Sequence, residues 1–453
     1  MTPSLFGSSG IRGLVGVEIT TRLATDLGAA LGSEVKQGTV IVGRDPRASG
    51  GLLVDALAAG IVSTGVDFTD VGITTTPMLA FLTRELKANA GVCVTASHNP
   101  PDYNGFKIFD HEGKALNAEP EKRLESVILG GGFPPSKPFT PGKRCRIRGL
   151  HLYVSSLSSQ LSFRKKWRIV VDLFNGATCS VLPSLFSSVG IDFLVLNGQL
   201  DPVFRLGRPE PSEASLHSLA RMVKELGADI GFGYDGDGDR MVAVDKSGQM
   251  PQQDRVLAAY ASHVVRKNSG GTVVTHVEAS RCIEDAVNSE NGQVVRTRVG
   301  DTSIAEAIRK NRAIFGGEPI GAWIHPQFHN CPDGVLSSML LLKALEEEEK
   351  TLGEFVKEVK SYHVSRESLS CPNEGKSSVM EAVRKQIVTA VPDIRGILDV
   401  DGVRADFGEG WILVRPSGTE PLIRLTVESM SKETTRRMTN MVESIIREKI
   451  EAM

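Results

Sequence analysis

The chain has 453 residues, 41% hydrophobic and 23% charged, with a formal net charge of -2. That balance is the composition of a soluble globular protein and gives no footing for nucleic acid or an anionic membrane surface as partner. The length exceeds one ordinary core and predicts three or four domains, while no apolar run approaches the roughly 20 residues of a membrane span.

Met1–Phe6 has no basic segment followed by an apolar one, so no export signal is expected. Cys93, Cys145, Cys179, Cys282, Cys331 and Cys371 are widely spaced without a CxxC pair. This predicts reduced thiols in a cytoplasmic enzyme, with neither a zinc site nor a disulfide framework. In chain order, a weak internal repeat follows. Thr39–Val42 opens a strand, Leu52–Ser63 reads as a helix, and Gly65–Val71 as a second strand. The plan recurs at 168–172, 179–189 and 190–195, and again at 272–275, 281–289 and 294–296. Strand, loop, helix, turn, strand is a parallel βαβ unit, and spacings this long mean similar α/β domains rather than a solenoid. The last part differs. A helix over 376–391 precedes short strands at 397–400, 403–407, 411–415 and 422–427, and a long amphipathic helix over 432–452 closes the chain. Short turns between the strands predict an antiparallel sheet with helices on one face, an α+β domain. The expected domains are 1–150, 151–252, 253–365 and 366–453.

Thr95-Ala96-Ser97-His98-Asn99-Pro100 follows the apolar strand Gly91–Val94, which exposes the Ser97 hydroxyl at a strand end. His98 could donate a hydrogen bond there, and Pro100 fixes the turn. Lys107 lies on a strand returning past the serine and could shuttle a proton; a solvated surface lysine is the plainer alternative. Asp235-Gly236-Asp237-Gly238-Asp239-Arg240 alternates three carboxylates, hard oxygen ligands for a divalent cation. An EF-hand is excluded, because its sixth position is Arg240 and its twelfth Lys246. A phosphatase with Asp235 as covalent nucleophile stays open. Arg240 beside the cluster makes sense if it grips a phosphate. Gly7–Gly13, with Arg12, and Gly43-Arg44-Asp45-Pro46-Arg47 offer guanidinium forks for oxyanions. Glu318, in Gly316–Gly321, could accept two vicinal sugar hydroxyls. Arg415, Ser417, Gly418, Thr419 and Arg424 suit a phosphate. His325 and His329 stand four apart, but Pro326 argues against a helical metal pair. Serine, metal and phosphate cradle in one chain point to phosphoryl transfer.

These motifs make the chain resemble the α-D-phosphohexomutases, the family of phosphoglucomutase, phosphomannomutase and phosphoglucosamine mutase. FGSSGIRG, GRDPR, TASHNP, YNGFK, GRPEP (207–211), DGDGDR, GGEPIG and RPSGTEPLIR stand in family order over nearly the whole chain. The resemblance implies three similar mixed α/β domains and a C-terminal TBP-like α+β domain around a central cleft. It implies that Ser97 is the phosphoserine and that Asp235, Asp237 and Asp239 hold Mg²⁺ together with the seryl phosphate. Arg12, His98, Lys107 and Arg240 would surround the transferring phosphoryl group, with Lys107 as general acid/base. Glu318 would read the sugar, and Arg415, Ser417, Gly418, Thr419 and Arg424 would hold the other phosphate.

The sugar loop departs from the GExSGH of many relatives, with Ile320 and Ala322 in place of serine and histidine; His325 is a candidate to reach the site instead. The implied partner is a sugar monophosphate. The expected reaction interconverts glucosamine 6-phosphate and 1-phosphate through phosphoserine and a hexose 1,6-bisphosphate. VGD at 299–301 and DGVLSS at 333–338 give weak support to the amino sugar. A phosphomannomutase/phosphoglucomutase is the alternative, and a non-catalytic sugar-phosphate sensor is disfavoured because every catalytic group is present. The sequence leaves the oligomeric state open.

Overall fold

Three sheets repeat one strand order in the computed structural model, which describes residues 5–7, 10–130, 140–417 and 420–452. The first sheet holds β1 (Ile11–Leu14), β2 (Thr39–Arg44), β3 (Asp67–Ile73), β4 (Ala90–Val94), β5 (Tyr103–Asp110) and β6 (Arg144–Arg146), in the order β1-β5-β4-β2-β3-β6. The second runs β10-β9-β7-β8, from β7 (Arg168–Asp172), β8 (Asp192–Leu196), β9 (Ile230–Tyr234) and β10 (Met241–Asp245). The third runs β12-β11-β13-β14, from β11 (Gly271–His276), β12 (Gly292–Thr297), β13 (Phe315–Gly317) and β14 (Trp323–Ile324). In each repeat the first strand pairs in parallel with the second and third, and the fourth returns antiparallel to the third. The third strands of the first two copies, β4 and β9, are buried along their whole length, as strands covered on both faces must be.

The turn after each third strand carries a predicted motif. Ser97 follows β4, Asp235 follows β9, and Glu318 follows β13. These turns sit at the carboxyl ends of strands flanking the point where the strand order reverses, the usual ligand crevice of such sheets. β1 is an addition to the first copy. It pairs antiparallel with β5, setting Arg12 opposite Gly105, two residues from Lys107.

The fourth sheet is antiparallel, β15-β19-β18-β17-β16, built from β15 (His363–Ser370), β16 (Ile394–Leu398), β17 (Val403–Phe407), β18 (Gly410–Pro416) and β19 (Leu422–Ser429). Helices Lys376–Ala390 and Lys432–Glu451 share its core through Val379, Val383, Met438 and Val442. β15 is absent from the sequence reading. Of its eight residues only Leu369 is buried, so no apolar alternation announces it. β16 begins three residues before the expected 397, because this edge strand carries an irregularity between Ile394 and Gly396.

The first three units share one continuous core, from Met78 and Tyr153 through Phe232 to Tyr260 and Trp323. The fourth has its own core and meets the third through Val277, Trp411 and Leu413. Trp411 donates its indole N–H to Glu428 and lies under the Arg404 guanidinium, 4.1 Å from the ring centroid. Among the described residues no helix is long and apolar enough to cross a membrane. Truncating this buried ring in Trp411→Ala should cost about 3–5 kcal/mol. Calorimetry should show an earlier transition for the fourth domain while the transition of the shared core keeps its midpoint.

Candidate active site

Ser97 is fully buried in the left-handed region, with φ +50°. A non-glycine residue holds that conformation only when its surroundings fix it. Here they do. Thr95 Oγ1 accepts from the Ser97 N–H and donates to Asp45 Oδ2. Asp45 is paired at 2.9 Å with Arg47, whose guanidinium also donates to the carbonyls of Ser97, Asn99, Pro100 and Tyr103. Arg47 is therefore a clamp for the serine loop. The expectation that it faces an oxyanion is corrected, since its donors are already committed to the backbone.

Ser97 Oγ donates to Asp235 Oδ2 at 2.6 Å, joining the turns of the first two sheets. Gly236 permits the approach, because a Cβ there would stand 2.6 Å from the Ser97 carbonyl oxygen. His98 Nδ1 lies 3.2 Å from Ser97 Oγ. Burial, then Arg240 and Arg12, push the His98 imidazole down to about 3, so it acts near neutral pH as an uncharged partner.

Asp235, Asp237 and Asp239 each present an oxygen within 4.8 Å of the others. Asp235 Oδ1 accepts from the N–H groups of Gly238 and Arg240, and Asp237 Oδ2 from the Thr76 hydroxyl. Among the described residues, Asp237 Oδ1 and Asp239 Oδ1 are buried without a hydrogen-bond partner. Buried carboxylate oxygens left unpaired are costly, and three of these groups together fit a hard divalent cation. Burial, then Asp237 and Asp239, push the Asp235 carboxyl well above the usual range.

Lys107 Nζ donates to Asp239 at 3.2 Å and to Asp301. Burial opposes its charge, but Asp301 and then Asp239 hold its pKa well above the ordinary value. Arg240 Nε stands 3.9 Å from Asp239, and Arg12 reaches Asn99 of the serine loop at 3.5 Å. Glu318 is buried and accepts from the Gly300 N–H at 3.0 Å. Burial, then Asp301, raise its carboxyl to about 7. Its turn is pinned on the second sheet at Gly321, φ +87°, where a Cβ would meet the Met241 carbonyl oxygen at 1.9 Å.

In the fourth domain Arg415 pairs with Glu278 at 2.6 Å, and Asp401 lies 3.6 Å away. Asp401 also accepts from the Val299 N–H. Arg424 faces Arg415 across the β18–β19 ladder and pairs with Glu420. Ser417 Oγ accepts from the Glu420 N–H. Gly418 and Thr419 lie outside the described residues.

The structure thus joins Ser97, His98, Lys107, Asp235, Asp237, Asp239 and Arg240 in one polar cluster. Glu318 is tied to it through loop 299–301, and Arg415 through Glu278 and Asp401. His325 is not part of it. It is buried against Tyr260 and Phe315, with Nε2 on Ser337 Oγ, so the suggestion that it replaces the missing loop histidine is corrected. The sequence reading gave no place in the site to Thr76, His276 or Glu278, and used Asp301 only as part of a motif. Asp301 stood in plain view in Val299-Gly300-Asp301. The signal for His276 was positional, since it ends the first strand of the third repeat.

Three copies of one mixed-sheet unit and an antiparallel fourth, with a serine, an acidic triad and basic groups at their turns, form a scaffold for phosphate transfer on a sugar. Comparison with known proteins gives the same class and refines it. Models of the phosphoglucomutase/phosphomannomutase alpha/beta/alpha domains I, II and III match residues 3–133, 151–248 and 252–362, and that of the C-terminal domain matches 372–445. A probable phosphoglucosamine mutase of Methanopyrus kandleri is 40% identical over 98% of both chains, and one of Methanosphaera stadtmanae is 38% identical over 95% of both. A phosphoglucomutase/phosphomannomutase family protein of Burkholderia thailandensis superposes with a TM-score of 0.89 at 27% identity, covering 98% of this chain and 97% of that one. The chain belongs to the phosphoglucomutase/phosphomannomutase family, the α-D-phosphohexomutases. It is an isomerase of the hexose-phosphate mutase kind.

A pH dependence follows from Glu318. Its carboxyl sits at about 7 in the fold against 4.5 ordinarily. The folded state therefore binds the extra proton, and the stability this contributes is full below 4.5 and lost as pH rises through about 7. Glu318→Gln removes this contribution. Without added divalent cation, the thermal midpoint of the wild type relative to Glu318→Gln should fall between pH 4.5 and 7 and level off above it.

Proposed function

We propose that the chain interconverts glucosamine 6-phosphate and glucosamine 1-phosphate by way of phosphate carried on Ser97 and a bound hexosamine 1,6-bisphosphate. The observation that carries the reading is the Ser97 Oγ to Asp235 Oδ2 contact of 2.6 Å beside two unpartnered buried carboxylate oxygens. The names of the relatives at 36–40% identity support the amino sugar.

In the first half-reaction the bond from phosphorus to Ser97 Oγ breaks and a bond to the free sugar hydroxyl forms. The hydroxyl proton ends on Ser97 Oγ, with Lys107 as shuttle. Arg12, His98 and Arg240 stand around the transferring group. Glu318 accepts from sugar hydroxyls. Mg²⁺ bound by Asp235, Asp237 and Asp239 would neutralise charge on the seryl phosphate. The bisphosphate then turns over, and its other phosphate returns to Ser97 by the reverse step. Arg415, Arg424, Ser417 and the 418–419 segment hold whichever phosphate is not reacting. Closing the four domains round the bisphosphate excludes water, which would otherwise hydrolyse the phosphoserine.

Intact-mass and peptide analysis should find phosphate on Ser97, and Ser97→Ala should abolish turnover. A substrate panel primed with the matching 1,6-bisphosphates should favour glucosamine phosphate over the glucose, mannose and N-acetylglucosamine phosphates. Preference for mannose or glucose phosphate would give the phosphomannomutase/phosphoglucomutase reading instead. Phosphate trapped on Asp235, with full activity in Ser97→Ala, would replace the mutase by a phosphatase.

The remote phosphate gives a separate test. Losing one charge-assisted contact costs about 1.5–3 kcal/mol, or roughly ten- to a hundred-fold. Arg415→Ala should lower kcat/KM by similar factors in both directions, with circular dichroism unchanged. Unaltered kcat/KM would remove the fourth domain from the substrate site.

A further inference from the structure

His276 ends β11 and is buried, yet its two ring nitrogens face different environments. Nδ1 accepts from the Glu278 backbone N–H at 3.1 Å. A neutral imidazole that accepts at Nδ1 carries its proton on Nε2. Nε2 lies 3.8 Å from Glu318 Oε1, too far for a direct hydrogen bond, and makes none among the described residues. Burial, then Arg296, Arg415 and Arg404, push this imidazole down to about 3, which keeps the ring neutral.

An N–H donor and a carboxylate oxygen 3.8 Å apart leave room for one shared group. An oxygen about 2.8 Å from each meets hydrogen-bond geometry on both sides. It must accept from Nε2–H and donate to Glu318, which a hydroxyl does and an ammonium, having no lone pair, does not. The sugar loop itself has Ala322 where many relatives have a histidine. We propose that His276, from a strand end of the third domain rather than from the loop, is a further sugar-reading residue, binding jointly with Glu318 one ring hydroxyl of the hexose phosphate. Its tautomer is fixed by the Glu278 backbone, whose side chain holds Arg415. The sugar contact and the remote phosphate contact thus share the turn His276–Glu278. The inference rests on the hexose-phosphate reading and names a contact within it.

The test compares the preferred hexose 1-phosphate with its 3-deoxy and 4-deoxy analogues in wild type, His276→Leu and His276→Gln. In wild type, one analogue should lose about tenfold or more in kcat/KM, the scale of one buried hydrogen bond. In His276→Leu the same analogue should lose little more than the parent sugar, so the two deletions are non-additive. His276→Gln, which keeps a donor, should recover most of the discrimination. Additive losses at both positions, or a His276→Leu enzyme as active as wild type, would overturn the proposal, since a structural role penalises every sugar alike. The wild type gives a reading independent of folding. The His276 Hε2 resonance should shift on saturation with the hexose 6-phosphate, and a resonance that does not move would also overturn it. A wild type that turns over no hexose phosphate overturns the mutase reading and this inference together, whereas normal turnover with additive losses overturns this inference alone.

Discussion

Three buried carboxylates within 4.8 Å of one another are the constraint around which this molecule is arranged. Burial and mutual repulsion at that range push the Asp235 carboxyl well above the usual carboxylate range. The chain answers from several directions. Two backbone N–H groups of the same loop bind Asp235, Thr76 binds Asp237, and Lys107 reaches Asp239. Thr76 and Lys107 come from the first domain and the carboxylates from the second. The cluster is therefore stable only while those two domains stay packed. The continuous core from Met78 through Phe232 to Trp323 supplies that packing. Two oxygens, on Asp237 and Asp239, lack hydrogen-bond partners among the described residues. With Asp235 they form a set of hard oxygen donors that could hold a divalent cation.

The same economy shows at Ser97. The hydroxyl to which the proposed mechanism assigns phosphate is given a fixed direction by a left-handed backbone at a non-glycine residue, at the cost of strain. Arg47 holds the strain by gathering four loop carbonyls with one guanidinium while Asp45 neutralises it. Truncating a clamp of this kind frees the loop as well as removing a contact, which makes it a positioning device although it touches no reacting atom.

Much of this was legible in the chain. The first strand of each repeat is an apolar run, and the serine and acidic motifs each follow an apolar strand, so the βαβ units and the loops at Ser97 and Asp235 could be placed from residue order, while Glu318 could be read only as part of a glycine-bounded turn. What could not be read has physical reasons. β15 buries one side chain of eight, so periodicity had nothing to register. Arg47 looks like any oxyanion-binding arginine until the backbone it serves is folded around it. His325 and His276 are alike in sequence, but tertiary packing buries the first among aromatic rings and turns the second toward Glu318. Lone polar residues carry no period, and their roles depend on which element lies opposite.

The fourth domain adds the last step. Its contact with the third is mixed, with Trp411 and Leu413 on Val277, the Arg404 guanidinium on the Val277 and Ala279 carbonyls, and the Arg415–Glu278 ion pair. Arg415, which the reading assigns to phosphate, rests instead on Glu278 and near Asp401. A phosphate arriving there competes with two carboxylates for one guanidinium. Asp401 in turn accepts from Val299, whose loop places Gly300 on Glu318 and Asp301 on Lys107. Engaging the remote phosphate therefore disturbs contacts one loop away from the groups that handle sugar and proton. The fourth domain keeps its own core and rests on the third through this mixed contact, while the carboxylate cluster is held by groups of the first two domains. Under the proposed assignment of Arg415, binding energy from the unreactive phosphate would be used for orientation at the reacting end, the route by which remote contacts raise turnover as well as affinity.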